Sequence, residues 1–176
     1  MERLWGERRL ETTETDILEQ LYHRYYSAAY LYCLSLSGDA HTAQDITADA
    51  FVKAYLSLPD EVPSFRYWLF RVCKNLWIDH CRKQRHLAEP DALEFLPDPN
   101  TPESIYLRNE QKKALWAALN TLSPTDREII TLHYFSGLPL KEIAPLLGKS
   151  HDAVRQRMVR LRNKLREELE AQGYGR

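Results

Sequence analysis

Long apolar runs, paired cysteines and strand-like alternation are all scarce in this chain of 176 residues, and each shortage removes a class of protein. The longest stretch without a charged residue, Tyr25 to Gly38, is 14 residues, short of the ~20 that a membrane helix needs. The charged start Met1 to Arg9 has no apolar core behind it, so no secretory signal is expected. Three cysteines without framework spacing argue against a disulfide-stapled secreted domain and for a reducing cytoplasm. With six glycines, no convincing alternating strand and no internal repeat, the pattern predicts an all-α chain. An apolar fraction of 44% against 28% charged excludes a disordered polymer.

Catalytic and metal motifs are also missing. Nothing resembles a nucleophile elbow or a phosphate loop, and no third residue orients a Cys–His pair. Cys73 and His80 share a helical face but stand ~10 Å apart along the axis, too far for one zinc ion with bonds of ~2 Å. No Cys-x-x-Cys pair exists. No enzyme activity, no cofactor and no metal is expected.

What is present is a charge asymmetry that the total of −1 conceals. Residues 1–85 carry a net −1, residues 86–110 a net −5 and residues 111–176 a net +5. Arg66 to Arg85 holds six bases against Asp79 alone, and Lys149 to Arg166 seven against Asp152 alone. Two basic windows either side of an acidic spacer suggest two surfaces for one polyanion. The spacer, His86 to Pro102, contains four of the nine prolines and reads as a linker, although Leu93, Phe95 and Leu96 form a small apolar group able to dock on a domain. The expected architecture is two small helical domains, residues 16–86 and 103–176, joined by an acidic, proline-containing linker over 87–102, with 1–15 as a flexible N-terminus.

In the first half, the spacing of Ile17, Leu21, Tyr25 and Ala28 predicts a helix from Asp16 to about Ser37, stopped by Gly38. A second helix is expected over 40–58, with Ala43, Ile46, Ala50, Ala54 and Leu58 inward. Beside that stripe lie Asp45, Asp49 and Lys53, which spacing alone reads as a solvated face. A third helix is expected over about 64–84, with Phe65, Leu69, Val72 and Leu76 as a core stripe and Arg71, Asn75 and Arg82 along another. Cations interleaved with Tyr67, Trp68, Phe70 and Trp77 suit single-stranded nucleic acid. Helical aromatics are nonetheless usually core. Trp68 is read as core; Tyr67 and Phe70 are balanced between the two.

The second half opens with a helix over 102–122, whose face is Leu115, Leu119 and Leu122. Ser123-Pro124-Thr125-Asp126 then starts another, ending at Gly137. From Leu140, the apolar Ile143 and Leu147, the small Ala144, the turn glycine Gly148 and the anchor Val154 have helix-turn-helix spacing, with a second helix from near His151. Its outward Arg155, Gln156, Arg157 and Arg160 suit base edges and phosphates in a major groove.

Taken in order, these motifs resemble a bacterial sigma factor of the extracytoplasmic-function group over roughly Asp16 to Arg166. Leu21-Tyr-His-Arg-Tyr-Tyr and Gly38-Asp39 are similar to the family's first helix and its end. The segment Ala43 to Tyr55 resembles its polymerase-binding helix. Phe65 to Lys83 resembles the segment that engages the minus-ten element. Leu122 to Leu138 and the helix-turn-helix resemble the domain that reads the minus-thirty-five element. The resemblance implies that Asp45, Asp49, Phe51 and Lys53 dock on core RNA polymerase. It places Asn75 against minus-ten bases, with Arg71, Lys74 and Arg82 on phosphates. It assigns minus-thirty-five contacts to His151, Asp152, Ala153, Arg155, Gln156, Arg157 and Arg160, with Arg157 and Arg160 on phosphate or guanine and Gln156 reading a base. The implied function is an alternative sigma factor that binds core polymerase and directs promoter recognition and opening. The implied partners are core polymerase, promoter DNA as duplex and opened strand, and an inhibitory anti-sigma factor, often membrane-bound. The acidic linker is implied to pass near the template strand and the RNA path.

The sequence departs from that pattern. Ala48 stands where the family commonly has glutamine, so one polymerase contact is expected to weaken or move. The loop between Tyr55 and Phe65, which captures a flipped base in the family, is shorter than usual and holds Pro59 and Pro63. Pro145 lies inside the first helix of the helix-turn-helix, where it deletes a backbone hydrogen bond and is expected to bend it. The main rival is a stand-alone helix-turn-helix regulator that binds duplex DNA without polymerase. Only the first half discriminates, through the segments 45–53 and 65–83. A pure protein adaptor leaves both basic windows unexplained.

Overall fold

The computed structural model describes residues 3–57, 64–87 and 110–174, with side chains for 17–56, 64–84 and 113–174. Expectations placed on residues 88–109 and 58–63, including the linker, the apolar Leu93, Phe95 and Leu96, inward Leu58 and the loop prolines, lie outside the described residues. Every regular element among the described residues is helical.

Helix α1 (Arg3–Ser37) starts well before the expected Asp16. Its early turns are rich in Glu, Arg and Leu, all good helix formers, and contain no proline to interrupt them. Gly38, with φ +69°, ends it in the left-handed conformation that glycine adopts without a steric cost, its N–H bonded to Leu34 O at 2.9 Å. Asp39 then caps α2 (Ala40–Ser57), its Oδ2 accepting from Thr42 N at 2.7 Å. The Thr42 side chain first, and this backbone bond second, hold its carboxyl below the ordinary carboxylate range. The buried face of α2 is Ala43, Ile46, Ala50 and Ala54 as expected, small residues that let α1 approach closely.

The faces of α1 and α3 (Phe65–Leu87) differ from expectation. Tyr25 and Ala28 pack against the core as expected, but Ile17 is 50% exposed, and among the described side chains of α1 the fully buried ones are Ala29, Tyr32 and Cys33. On α3 the sealed positions are Leu69, Phe70 and Cys73, while Phe65, Val72 and Leu76 are only partly buried. Phe70 is thereby core: its ring meets Tyr32 edge-on, with centroids 5.4 Å apart. Tyr67 and Trp68 also pack against the core, partly buried. The Cys73 thiol is pushed well up by its hydrogen bond with Cys33 and by burial, leaving both sulfurs as inert packing.

In the second half, α4 (Glu110–Asn120) buries Ala114, Ala118 and Leu119. Next, α5 (Pro124–Ile130) is capped by Ser123, whose Oγ accepts from Asp126 N at 3.3 Å. It runs on as a π-helical turn, Thr131–Phe135, to Gly137 at φ +66°. Helix α6 (Leu140–Leu146) and α7 (His151–Ala171) form the helix-turn-helix. Pro145 is accommodated near the end of the seven-residue α6, where Leu147 N still reaches Ile143 O at 3.0 Å. Gly148 turns the chain at φ +63°, and Ser150 caps α7 through Ala153 N at 3.2 Å. Val154, Met158 and Leu161 bury one stripe of α7.

The two halves share one apolar core, in which Ala29, Tyr32 and Phe70 of the first are continuous with Leu119, Ile129 and Leu132 of the second. One polar link crosses it. Glu128 Oε1 accepts from Tyr32 OH and from Lys74 Nζ, each at 2.7 Å.

Candidate nucleic-acid interface

The period of α2 that buries its alanines leaves Asp45, Asp49 and Lys53 exposed and Phe51 partly buried. Alongside them runs an apolar groove of about 490 Å³ between α1 and α2, lined by Tyr22, Tyr26, Phe51, Val52, Tyr55 and Leu56 among others. Phe51 is held there by Tyr22, with centroids 5.0 Å apart. Tyr55 and Leu56 are 68% and 73% exposed, large apolar surfaces of the kind that mark a docking site. Ala48 also lines this groove, and its small side chain leaves the space open. The sequence reading found the acidic rim and Phe51 but missed the rest of the groove. Tyr55 and Leu56, apolar positions off the inward stripe of α2, were the available signal.

On α3, Arg71, Asn75 and Arg82 share one exposed stripe, and Arg82 lies 3.6 Å from Asp79. Lys74 is not with them. Its side chain is 22% exposed and turned to Glu128. Trp77 stacks on His80 with an interplanar angle of 15°, on the flank next to Lys74.

On α7, the buried stripe directs Asp152, Gln156 and Arg160 away from the core at 100° per residue. All three are exposed, as are His151, Ala153 and Arg155. Arg155 pairs with Asp152 at 3.6 Å, both on the surface. Arg157 falls beside the buried stripe instead, and its Nε and Nη2 are bonded to the two carboxylate oxygens of Asp126 in the first turn of α5. Ser123 Oγ also donates to Asp126, at 2.7 Å. Here one sequence-expected DNA contact serves to clamp α7 against α5. Burial raises the Asp126 carboxyl, but the Arg157 and Ser123 bonds and the Arg157 charge outweigh it and hold it below the usual range.

A depressed carboxylate stabilises the fold above its unfolded value of ~4, and that contribution is lost as pH falls through the lower folded value. Because Arg157 is over a third exposed, the screened pair contributes about 1 kcal/mol. Asp126→Asn is expected to lose that at neutral pH, with the difference from wild type shrinking steadily as pH falls below about 4. Thermal melts across this range check it, and a loss that persists undiminished in acid rules it out.

A second apolar groove, about 720 Å³, opens between α4, the π turn and α7, where Leu115, Leu119, Tyr134, Phe135, Leu165 and Leu169 are bordered by Arg162 and Arg166. The sequence points to the α4 leucines and to Ile130 and Phe135 as apolar positions, but not to the groove they form with α7. Glu128 was missed altogether.

Comparison with known proteins bears on these surfaces. The Sigma-70 region 2 family matches residues 21–87, and the Sigma-70 region 4 family matches residues 112–165. The ECF RNA polymerase sigma factor SigE of Mycolicibacterium smegmatis is 34% identical over 160 residues, covering 88% of this chain and 60% of that protein. BldN of Streptomyces coelicolor, also an ECF sigma factor, is 30% identical over 154 residues, covering 84% of this chain and 58% of the relative. The chain thus spans less than two thirds of the length of these two. SigM of Bacillus subtilis is 27% identical over 151 residues, covering 85% of this chain and 93% of that one. Among solved structures, CnrH in complex with the cytosolic domain of CnrY superposes with a TM-score of 0.61 at 28% identity, over 89% of this chain and 90% of that one. The sigma factor RpoE of Bartonella quintana, in complex with the anti-sigma factor NepR, has a TM-score of 0.65 at 23% identity, over 86% and 96% of the two chains, a likeness of fold.

Proposed function

The chain belongs to the sigma-70 family, in its extracytoplasmic-function group, and on that premise we propose that it binds core RNA polymerase and directs promoter recognition and opening at the start of transcription. The observation that supports this best is the coexistence in one chain of the acid-rimmed apolar groove on α2 with an outward-facing basic recognition helix, α7. A stand-alone duplex-binding regulator uses the second and has no need of the first. The groove and Asp45, Asp49 and Lys53 take a basic, partly apolar helix of the polymerase. Arg71, Asn75 and Arg82 on α3 hold the opened minus-ten strand. Arg155, Gln156 and Arg160 read the minus-thirty-five duplex, with His151, Asp152 and Ala153 at the groove end of α7.

Each DNA surface alone makes few contacts, so the free factor binds promoters weakly. Polymerase fixes both at promoter spacing, and linked binding raises the effective concentration of the second site. The chain is an initiation factor, and bond-making belongs to the polymerase. Because CnrH and RpoE were solved with CnrY and the anti-sigma factor NepR, an anti-sigma partner is proposed for this chain too. Among the described residues no helix is long and apolar enough to cross a membrane.

The test is capture of the purified chain on bacterial core polymerase, followed by run-off transcription from a randomised promoter pool. Capture with selective transcripts is expected, and the pool then reports the promoter. Retention on duplex DNA without capture by polymerase would transfer the assignment to the stand-alone regulator.

A further inference from the structure

Two apolar surfaces of this chain stand open to water, and their charged borders are inverse. On α2, Val52, Tyr55 and Leu56 are 53%, 68% and 73% exposed. Beside them Asp45, Asp49 and Lys53 follow one another every four residues. The groove of about 720 Å³ between α4, the π turn and α7 is bordered by Arg162, Arg166 and Glu170, again every four residues. All six charged residues are exposed, and the order of signs on α2, two acids and then a base, is reversed on α7. Rows of residues four apart are the ridges along which packed helices most often interdigitate, so one row can run beside the other at a common spacing of about 6 Å. Within each helix the like-charged neighbours, Asp45 with Asp49 and Arg162 with Arg166, repel mildly, and a row of opposite sign relieves both. Arg162 is kept at the groove edge by its Nε, which donates to Tyr134 OH at 2.9 Å.

Exposed apolar area of this kind marks a docking site, and the chain itself supplies the cover that each surface lacks. We propose that the two surfaces meet between two copies of the chain: Val52, Tyr55 and Leu56 of one copy enter the α4–α7 groove of the other, with Asp45 and Asp49 against Arg162 and Arg166. The mode is an amphipathic helix laid into an apolar groove, with anchors at i, i+3 and i+4. Because every copy carries both members of the contact, two chains that exchange it close into a dimer in which both surfaces of each are covered. One consequence rests on the reading of α2 as the polymerase dock. The dimer covers that dock, so polymerase has to displace a second copy before the factor can work. The free pool then restrains itself by mass action, its available fraction falling as its concentration rises.

Sedimentation equilibrium of the full chain tests this. The mass of the wild-type protein is expected to rise toward twice that of one chain as its concentration is taken up to about 100 μM, where a weak contact is populated. Asp45→Arg with Asp49→Arg leaves both rows basic, and Arg162→Glu with Arg166→Glu leaves both acidic. Each of these variants alone should associate at least about tenfold more weakly than the wild type, since like charges then face each other across the contact. Mixed in equal amounts they should associate again, because the α2 of each is then opposite in charge to the groove of the other. Misfolding is not undone by mixing. Adding Tyr55→Ser with Leu56→Ser to both variants should abolish the mixed complex, which attraction between opposite net charges alone would preserve. A wild-type chain that stays monomeric over this range, or charge variants that mixing does not restore, overturns the proposal. A monomer whose Arg162→Glu, Arg166→Glu variant instead loses affinity for polymerase would also overturn it, and would assign the groove to the polymerase. Core polymerase should disperse the wild-type dimer. Failure to do so, with mixing still restoring association, would overturn the functional reading of α2 alone.

Discussion

Reversing both acids on the α2 rim, Asp45→Arg with Asp49→Arg, is expected to lower affinity for core RNA polymerase by at least about a hundredfold, since like-charge juxtaposition across an interface costs several kcal/mol. The fold should not suffer. Both side chains are exposed, and the ion pair of Asp45 with His41, at 3.4 Å on the open surface, contributes little. Two like charges one turn apart are in any case mildly unfavourable in a helix. Duplex DNA binding through α7 should be unchanged, because α7 belongs to the other half. A competition assay against the wild-type chain, beside a thermal melt, checks this. Loss of DNA binding with retained polymerase affinity would mean that the division of labour between the halves is wrong.

The second large effect separates two arginines that look equivalent in the sequence. Arg160→Ala is expected to cost about 1–3 kcal/mol of promoter affinity, roughly five- to 150-fold, without changing stability, because Arg160 points outward from an exposed turn of α7. Gln156→Ala should behave likewise and also relax preference at one base pair. Arg157→Ala should first destabilise the second half, by about 1 kcal/mol, because it strips Asp126 of its cation. Its effect on promoter affinity should be small once the protein is confirmed folded. Melting curves and promoter binding measured on the same three variants distinguish the roles. If Arg157→Ala leaves the melt untouched and cuts promoter affinity as deeply as Arg160→Ala, its bond to Asp126 is incidental and it belongs with the DNA contacts.

Most of the helical layout was legible because periodicity within one helix is a local property. Ala43, Ile46, Ala50 and Ala54 contrast sharply with their polar neighbours, and the inward face of α2 could be read directly. Helix α1 is harder: Tyr, Ser, Ala and Cys alternate with little contrast between Tyr25 and Ser37, so spacing points to Ile17, Leu21, Tyr25 and Ala28, of which Tyr25 and Ala28 touch the core, while the sealed residues are Ala29, Tyr32 and Cys33. What could not be read locally is which cation meets which anion across the fold. Lys74 and Arg157 sit among exposed basic residues in the sequence, but their partners lie 54 and 31 residues away. For Arg157 a hint existed, since its angular position on α7 borders the Val154–Met158–Leu161 stripe. For Glu128 there was none, because an acid beside Ile129 looks like any surface residue until the first half is laid against it. The apolar grooves escaped for a related reason, each being built from two or more helices.

The bond between Tyr32 and Glu128 also sets a timetable for synthesis. Its two residues are 96 positions apart, so at roughly 5–20 residues per second the ribosome needs about 5–20 s to deliver the second after the first. Throughout that interval the nascent α1 carries an apolar surface whose final cover is still unmade. Phe70, arriving sooner, can shield part of it, but Ile129 and Leu132 follow about 60 residues later. The first half thus depends on the second to complete its cover, and a pause placed before the codons for α5 would lengthen that interval.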